Sequence, residues 1–310
     1  MKNESLKMGR VEWSLLFLLA SLWGSSFLFM KIAVQDLPVF TVVLGRIGIA
    51  AIALTITVYV RGLRLPTNGK VWGQLVLLGF LRASLPISMF VWAGTQIDSN
   101  ISGILNSTTP LFTAVVAHFF TQDERLDRAR MMGIVFGMVG VVILIGPEAL
   151  QAMGSNVWGQ LAILVATCSY GFAGVYGRRF KEMPVAVSTA GMLIGATLMI
   201  LPIALWVDQP WTLSPTAVSL GALFALALLN TAVAFMVWLT LIFRAGANNA
   251  AQVTFIIPVI AILLGFLILG ETVSWSLFVG LLSILLGLAV SQKRFSFLKK
   301  SQRPMASHKH

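Results

Sequence analysis

The chain has 310 residues, 57% of them hydrophobic and 11% charged, with a mean hydropathy of +0.88. Soluble domains carry about 25% charged residues, so this chain has too little polar surface to cover a water-exposed globule, and lipid is the solvent for most of it. The net charge of +11 does not point to nucleic acid, because the basic residues stand in short clusters between apolar runs, and the one cysteine, Cys168, excludes a disulfide framework or a cysteine metal site.

In chain order, Lys2, Lys7 and Arg10 precede an apolar stretch over 11–32. It is longer than a signal-peptide core and lacks a small-x-small cleavage site, so it predicts a retained membrane helix. Charges, prolines and glycines delimit further helices at 39–60, 71–92, 98–120 and 131–146. A second set follows at 157–177, 184–206, 215–240, 248–269 and 275–292. At about 1.5 Å per residue, each crosses or nearly crosses a hydrocarbon core of about 30 Å. The expected fold is all-α: an integral membrane protein of ten transmembrane helices.

The distribution of Lys and Arg is an independent check. Nineteen of the 22 fall at the termini and in alternate connections on one side. The connections 33–38, 93–97, 147–156, 207–214 and 270–274 hold none. This partition predicts both termini on the cytoplasmic side of a multi-pass protein in the cytoplasmic (inner) cell membrane. Only Lys31, Arg46 and Arg82 remain inside helices.

The halves resemble each other at an offset near 147 residues. Trp23-Gly24 matches Tyr170-Gly171, Pro38-Val39 matches Pro184-Val185, and Phe90-Val91-Trp92 matches Met236-Val237-Trp238. Pro110-Leu111-Phe112, closing on Glu124, matches Pro258-Val259-Ile260, closing on Glu271, with a one-residue gap. The expected organisation is a five-helix repeat over 1–147, a second over 148–292 and a basic tail over 293–310. Five is odd, so the second copy enters the membrane inverted, an arrangement recurrent in transporters.

The Trp-Gly-Ser-Ser-Phe run at 23–27, the Pro-Leu-Phe-Thr run at 110–113 leading to Glu124-Arg125-Leu126, and Gly270-Glu271 resemble the drug/metabolite transporter superfamily, EamA-type. The resemblance spans roughly residues 10–292. It implies an exporter of amino acids or other metabolites, with the substrate cavity between the two halves and the fifth and tenth helices peripheral. It also implies no cofactor.

Charges within a bilayer are costly and usually face the bundle interior, which makes them functional candidates. Arg46 and Arg82 each present a guanidinium fork suited to a substrate carboxylate; the competing role is an internal contact that fixes helix packing. Lys31, at the outer end of its helix, is expected to snorkel to the interface. His118 is a candidate proton carrier or a packed, hydrogen-bonded core histidine. No carboxylate lies deep in a helix, since Glu12, Asp98, Asp123, Glu124 and Glu271 fall near helix ends. That leaves facilitated diffusion or exchange beside proton antiport.

Pro86, Pro110 and Pro258 are candidate hinge or gating positions, each expected to free a carbonyl four residues earlier, of Arg82, Asn106 and Thr254 respectively. Trp23, Ser25, Ser26, Asn106, Tyr170, Tyr176, Trp238 and Gln252 complete the candidate substrate-binding set, with Trp92 as an interfacial residue. Apolar walls with a few polar groups suit amino acids with large or aromatic side chains, and also drugs. Gly133 and Gly137, and Gly280, Ser283 and Gly287, form small-residue faces that serve helix packing or a weak homodimer. The expected partners are a small-molecule substrate and lipid. Two other classes stay in view, a channel or scaffold and an intramembrane enzyme, although no HExxH site or paired intramembrane aspartates are present.

Overall fold

The computed structural model describes residues 8–121, 126, 128–145 and 155–291. These are helical nearly throughout, with no strand among the described residues. Helix α1 is Arg10–Ala33 and α2 is Val39–Val60, whose N-cap is Pro38. Helix α3 runs over Gly69–Gly94 and begins at Asn68, whose side chain accepts from the Lys70 amide at 2.8 Å. Short helices α4 (Ser99–Asn106) and α5 (Thr109–Phe120) follow, then α6 (Arg128–Ile145). Helix α7 is Ser155–Gly177 and α8 is Val185–Asp208. Helix α9 spans 217–245, α10 is the single turn Ala247–Ala250, α11 is Val253–Leu269 and α12 is Trp275–Ser291.

Six of these helices are long and apolar enough to cross a membrane on their own: α1, α2, α3, α7, α8 and α9. Shorter apolar helices lie at Met131–Ile145, Val253–Leu269 and Trp275–Val290. The stretches 98–120 and 248–269, expected as single helices, are each broken, after Asn106 and after Ala250. Large apolar side chains such as Ile52, Val142 and Leu267 are exposed at 64%, 67% and 70%. In water that would be a liability; here hydrocarbon is their neighbour, so these helices need no polar face.

Helices α1 and α11 pack together, as do α5 and α7; α3 packs on α7 and α9 on α1; α2 meets α8 and α6 meets α12. Departures from α-helical geometry also come in corresponding places. Helix α3 contains a π-helical Phe80–Ser84, and α9 a π-helical Ala225–Val233. A third π segment, Ala204–Asp208, ends α8.

The small-residue faces of α6 and α12 are used against each other within the chain. A Cβ on Gly287 would overlap the Gly133 carbonyl and the Gly137 amide, and one on Gly140 the Gly280 carbonyl. Gly287→Ala therefore forces two backbones apart, at a cost of about 1–3 kcal/mol. Its thermal unfolding midpoint in detergent should fall. Gly221→Ala, where a Cβ meets nothing within 4 Å, should leave the midpoint unchanged or raise it.

Candidate functional site

The two arginines deep in the sequence lie at the centre of the helix packing. Arg46 on α2 donates from Nε to Thr231 Oγ1 at 3.2 Å and from Nη1 to Met30 Sδ at 3.4 Å. Thr231 in turn donates to the Leu226 carbonyl at 2.8 Å, which leaves its lone pairs aimed at Arg46. This i to i−5 contact exists because that part of α9 is π-helical. Arg82 sits in the π-helical part of α3, with its guanidinium carbon 5.5 Å from the centre of the Tyr170 ring. That is a cation–π distance. Among the described residues neither arginine meets a carboxylate, and Arg82 donates no hydrogen bond to protein. Both retain accessible surface.

Aromatic rings extend from this pair. Tyr170 stacks on Phe90 with centroids 6.0 Å apart, and Phe90 lies 5.9 Å from Phe27. On the neighbouring face of α1, Trp23 lies 5.4 Å from Trp238 and 6.4 Å from Phe235. Asn230 is buried and donates to the Leu22 carbonyl and, at 2.9 Å, to Ser25 Oγ. The hydroxyl of Ser26 is buried without a protein partner.

The prolines act differently from a simple mid-helix kink. Pro110 occupies the first turn of α5, where a missing N–H leaves no bond unmade. The Asn106 carbonyl accepts from Thr109 Oγ1 at 2.7 Å, and Thr108 Oγ1 bonds the Leu105 carbonyl at 2.7 Å. At the second break, Thr254 Oγ1 bonds the Ala251 carbonyl at 2.8 Å and Gln252 Nε2 bonds Asn249 Oδ1 at 3.1 Å. Pro258 lies inside its helix, α11. Pro86 follows the π-helical turn of α3, and Ser169 on α7 donates to the Leu81 carbonyl at 2.8 Å. At both breaks the chain's own hydroxyls meet the exposed carbonyls.

One end of the bundle is held by carboxylates. Asp36 accepts from Thr216 N and Oγ1 and from Ser219 Oγ, joining the α1–α2 connection to the start of α9. Asp208 accepts from Thr41 N at 2.6 Å and Oγ1 at 3.0 Å, joining α8 to α2. Glu271, 8% exposed, accepts from Ser99 N at 2.6 Å, Ser99 Oγ at 3.0 Å and Asn100 N at 2.9 Å. It caps α4, where a carboxylate also complements the helix dipole. Gly270, at φ +67°, turns the chain back so that Glu271 can reach it, and a Cβ on Gly265 would collide with the carboxylate. Lys31 donates to the Ile97 carbonyl at 2.8 Å. This acceptor belongs to the connection at the outer end of the helix, the end towards which Lys31 is expected to reach.

At the opposite end Arg244 pairs with Glu12 at 2.8 Å. Here a 390 Å³ cavity is lined by Leu81, Phe120, Phe172, Tyr176 and Arg179 among others. Arg179 lies over the Tyr176 ring at 4.8 Å. Tyr176 thus lines this cavity with Arg179, while Arg82 stands over Tyr170 and Arg46 against Thr231 and Met30. His118 Nδ1 accepts the Leu126 amide at 3.2 Å. Gln252 lies at the second break, and Trp92 is 37% exposed on the lipid-facing surface. Glu124 and Arg125 lie outside the described residues. Sequence reasoning missed Thr231, Asn230 and the tertiary role of Glu271. Asn230-Thr231 is a polar pair inside an otherwise apolar helix, and that signal was available.

Removing the carboxylate in Glu271→Ala should lower unfolding stability in detergent by about 2–3 kcal/mol, as expected for buried bonds to a charged acceptor, with Glu271→Gln losing less. Asp36 lies outside the helices, and bonds from Thr216 and Ser219 hold its carboxyl below its ordinary value. Its contribution is therefore fully present above the ordinary carboxylate range and is lost as pH falls through the depressed value. Unfolding midpoints of the parent chain and Asp36→Asn should differ at neutral pH and converge in acid.

The EamA-like transporter family matches this sequence twice, over residues 12–146 and 157–291. The uncharacterized transporter YoaV of Bacillus subtilis is 25% identical over 89% of this chain and 94% of its own length. The uncharacterized inner membrane transporter YedA of Escherichia coli K12 is 29% identical, over 84% of this chain and 83% of its own. A protein of Streptantibioticus cattleyicolor described as a "Probable terminal-alkyne amino-acid exporter" is 21% identical over 86% of this chain and 88% of its own. A solved crystal structure shares the fold, with TM-score 0.66 at 20% identity over 91% of this chain and 97% of that one. With both halves matched, the chain belongs to the EamA-like transporter family of membrane transporters.

Proposed function

We propose that the chain is a carrier of the cytoplasmic membrane, both termini cytoplasmic, that exports small carboxylate-bearing metabolites by alternating access between two inverted five-helix halves. The observation that carries this reading is that Arg46, held by Thr231, and Arg82, over the Tyr170 ring, each lie within an apolar helix with no carboxylate partner among the described residues. Charge at membrane depth is costly, and a substrate carboxylate supplies the missing partner in bidentate geometry.

Several features support the mechanism. The family matches the two halves separately, over the lengths that the internal sequence repeat suggests. Helix contacts and π-helical segments recur at corresponding places. Carboxylate bonds tie the halves together at one end, while a cavity lies at the other. The arrangement suits a carrier held closed on one side of its site. The unbalanced distribution of Lys and Arg favours cytoplasmic termini. Amino acids are the substrate class in the description of one relative, and other metabolites or drugs form the second reading for the same site.

Reconstituted in liposomes, the protein should take up carboxylate metabolites saturably and show trans-stimulation, which a channel does not. A substrate panel run with and without a pH gradient reads the coupling. Arg82→Ala should lower kcat/KM for carboxylates roughly 10- to 100-fold, the loss of one interaction with a charged group, with membrane insertion unchanged. Unchanged uptake by this variant would remove Arg82 from the substrate site.

A further inference from the structure

The 390 Å³ cavity between α3, α5 and α7 is charged at one end and apolar along the rest. Arg179 stands in the tight turn Arg178–Phe180 that follows α7, Tyr176 lies three residues earlier, and Phe172 four before that. Steps of three and four keep these side chains on one face. At about 1.5 Å per residue, that face descends roughly 10 Å from the guanidinium to the Phe172 ring. Val116 on α5 and Leu81 on α3 complete the apolar wall.

The cavity opens on the outside of the bundle. Phe120 and Phe172 line it, meet edge to face at 5.5 Å, and are 66% and 38% exposed. In a membrane the neighbour of such exposed rings is hydrocarbon. The charge at the other end has one sign. Arg179 lies over the Tyr176 ring at 4.8 Å, and among the described residues no carboxylate pairs with it. Arg178 lines the same end, and no acid is among the described lining residues.

These features select among occupants. A small soluble anion gains from the guanidiniums but leaves the apolar trough unfilled. A zwitterionic lipid fills the trough but gains little from unbalanced positive charge. A lipid with a net negative headgroup uses both ends.

The geometry points to a binding site for one anionic phospholipid of the cytoplasmic leaflet. Its phosphate lies against Arg179 and Arg178, and one acyl chain runs along Tyr176, Phe172 and Val116. Basic pockets between membrane helices on the cytoplasmic side hold headgroups of this kind. Only the side of the membrane is taken from the carrier reading above; the binding itself does not depend on transport.

The test is lipid binding by the delipidated full chain in detergent, read by native mass spectrometry. The probes are dioleoylphosphatidylglycerol and dioleoylphosphatidylcholine. One phosphatidylglycerol should bind per chain, about tenfold or more tighter than phosphatidylcholine, since each basic group is worth roughly fivefold. Arg179→Gln, at an exposed position, should cut that preference about fivefold, and Arg179→Lys should keep most of it. Lys181→Gln, exposed nearby but not lining the cavity, should leave it unchanged. Phe172→Ala should weaken both lipids alike. Equal binding of the two lipids overturns the inference. So does an equal loss in Arg179→Gln and Lys181→Gln, which would mean diffuse attraction to surface charge. Inorganic phosphate that displaces phosphatidylglycerol at equal concentration reveals a small-anion site and also overturns it. Lipid selectivity without saturable uptake of any substrate overturns the carrier reading and leaves this site standing.

Discussion

In a hydrocarbon interior every backbone N–H and C=O needs a partner supplied by the protein, and the rest of this structure depends on that constraint. Regular helices meet it automatically, and most of the chain is regular helix. At three places where the helix departs from that pattern, a hydroxyl is placed to compensate. Ser169 reaches the Leu81 carbonyl beside the π turn of α3, Thr231 reaches Leu226 within α9, and Thr109 reaches Asn106 at the first break. The irregularities are thus individually compensated. They also sit beside the arginines: Arg82 belongs to one π segment, and the Thr231 that holds Arg46 belongs to another.

Compensation of backbone groups has an electrostatic consequence. Because hydroxyls occupy the exposed carbonyls, little negative potential from the backbone remains to balance the guanidiniums. Aromatic faces and a thioether provide weak partners instead, Tyr170 for Arg82 and Met30 for Arg46. Such contacts are worth about 1–2 kcal/mol, far less than a buried charge costs. That imbalance is what the proposed carrier reading rests on.

The carboxylates are concentrated where they join helices. Asp36, Asp208 and Glu271 each accept from a backbone amide near a helix start on another segment. Such bonds are strong while formed and break as units, which suits an end of the molecule that must open. The Glu12–Arg244 pair at the other end is exposed on its arginine side and holds less firmly. The two ends of the bundle are thus held by bonds of different strength.

Composition and hydropathy pattern were enough to read an all-helical membrane protein and the two arginines within its apolar runs, because apolar run length and intramembrane charge are properties of the chain itself. Proline and polar residues marked where helices 98–120 and 248–269 are irregular, but not that they break, since the break depends on whether a nearby hydroxyl can replace the lost bond. Glu271 read as a residue at a helix end, while the fold buries it against α4; for Lys31, read as reaching the outer interface, the fold supplies the particular acceptor there, the Ile97 carbonyl. In each case the partner lies at least 66 residues away, and pattern along one helix carries no information about a neighbour so distant. The sequence by itself determined which charges lie within apolar runs, since that is a property of one stretch of chain. Only the tertiary structure decided that Glu271 is buried against a helix start and that Arg46 and Arg82 meet no carboxylate among the described residues, since those partners come from distant segments.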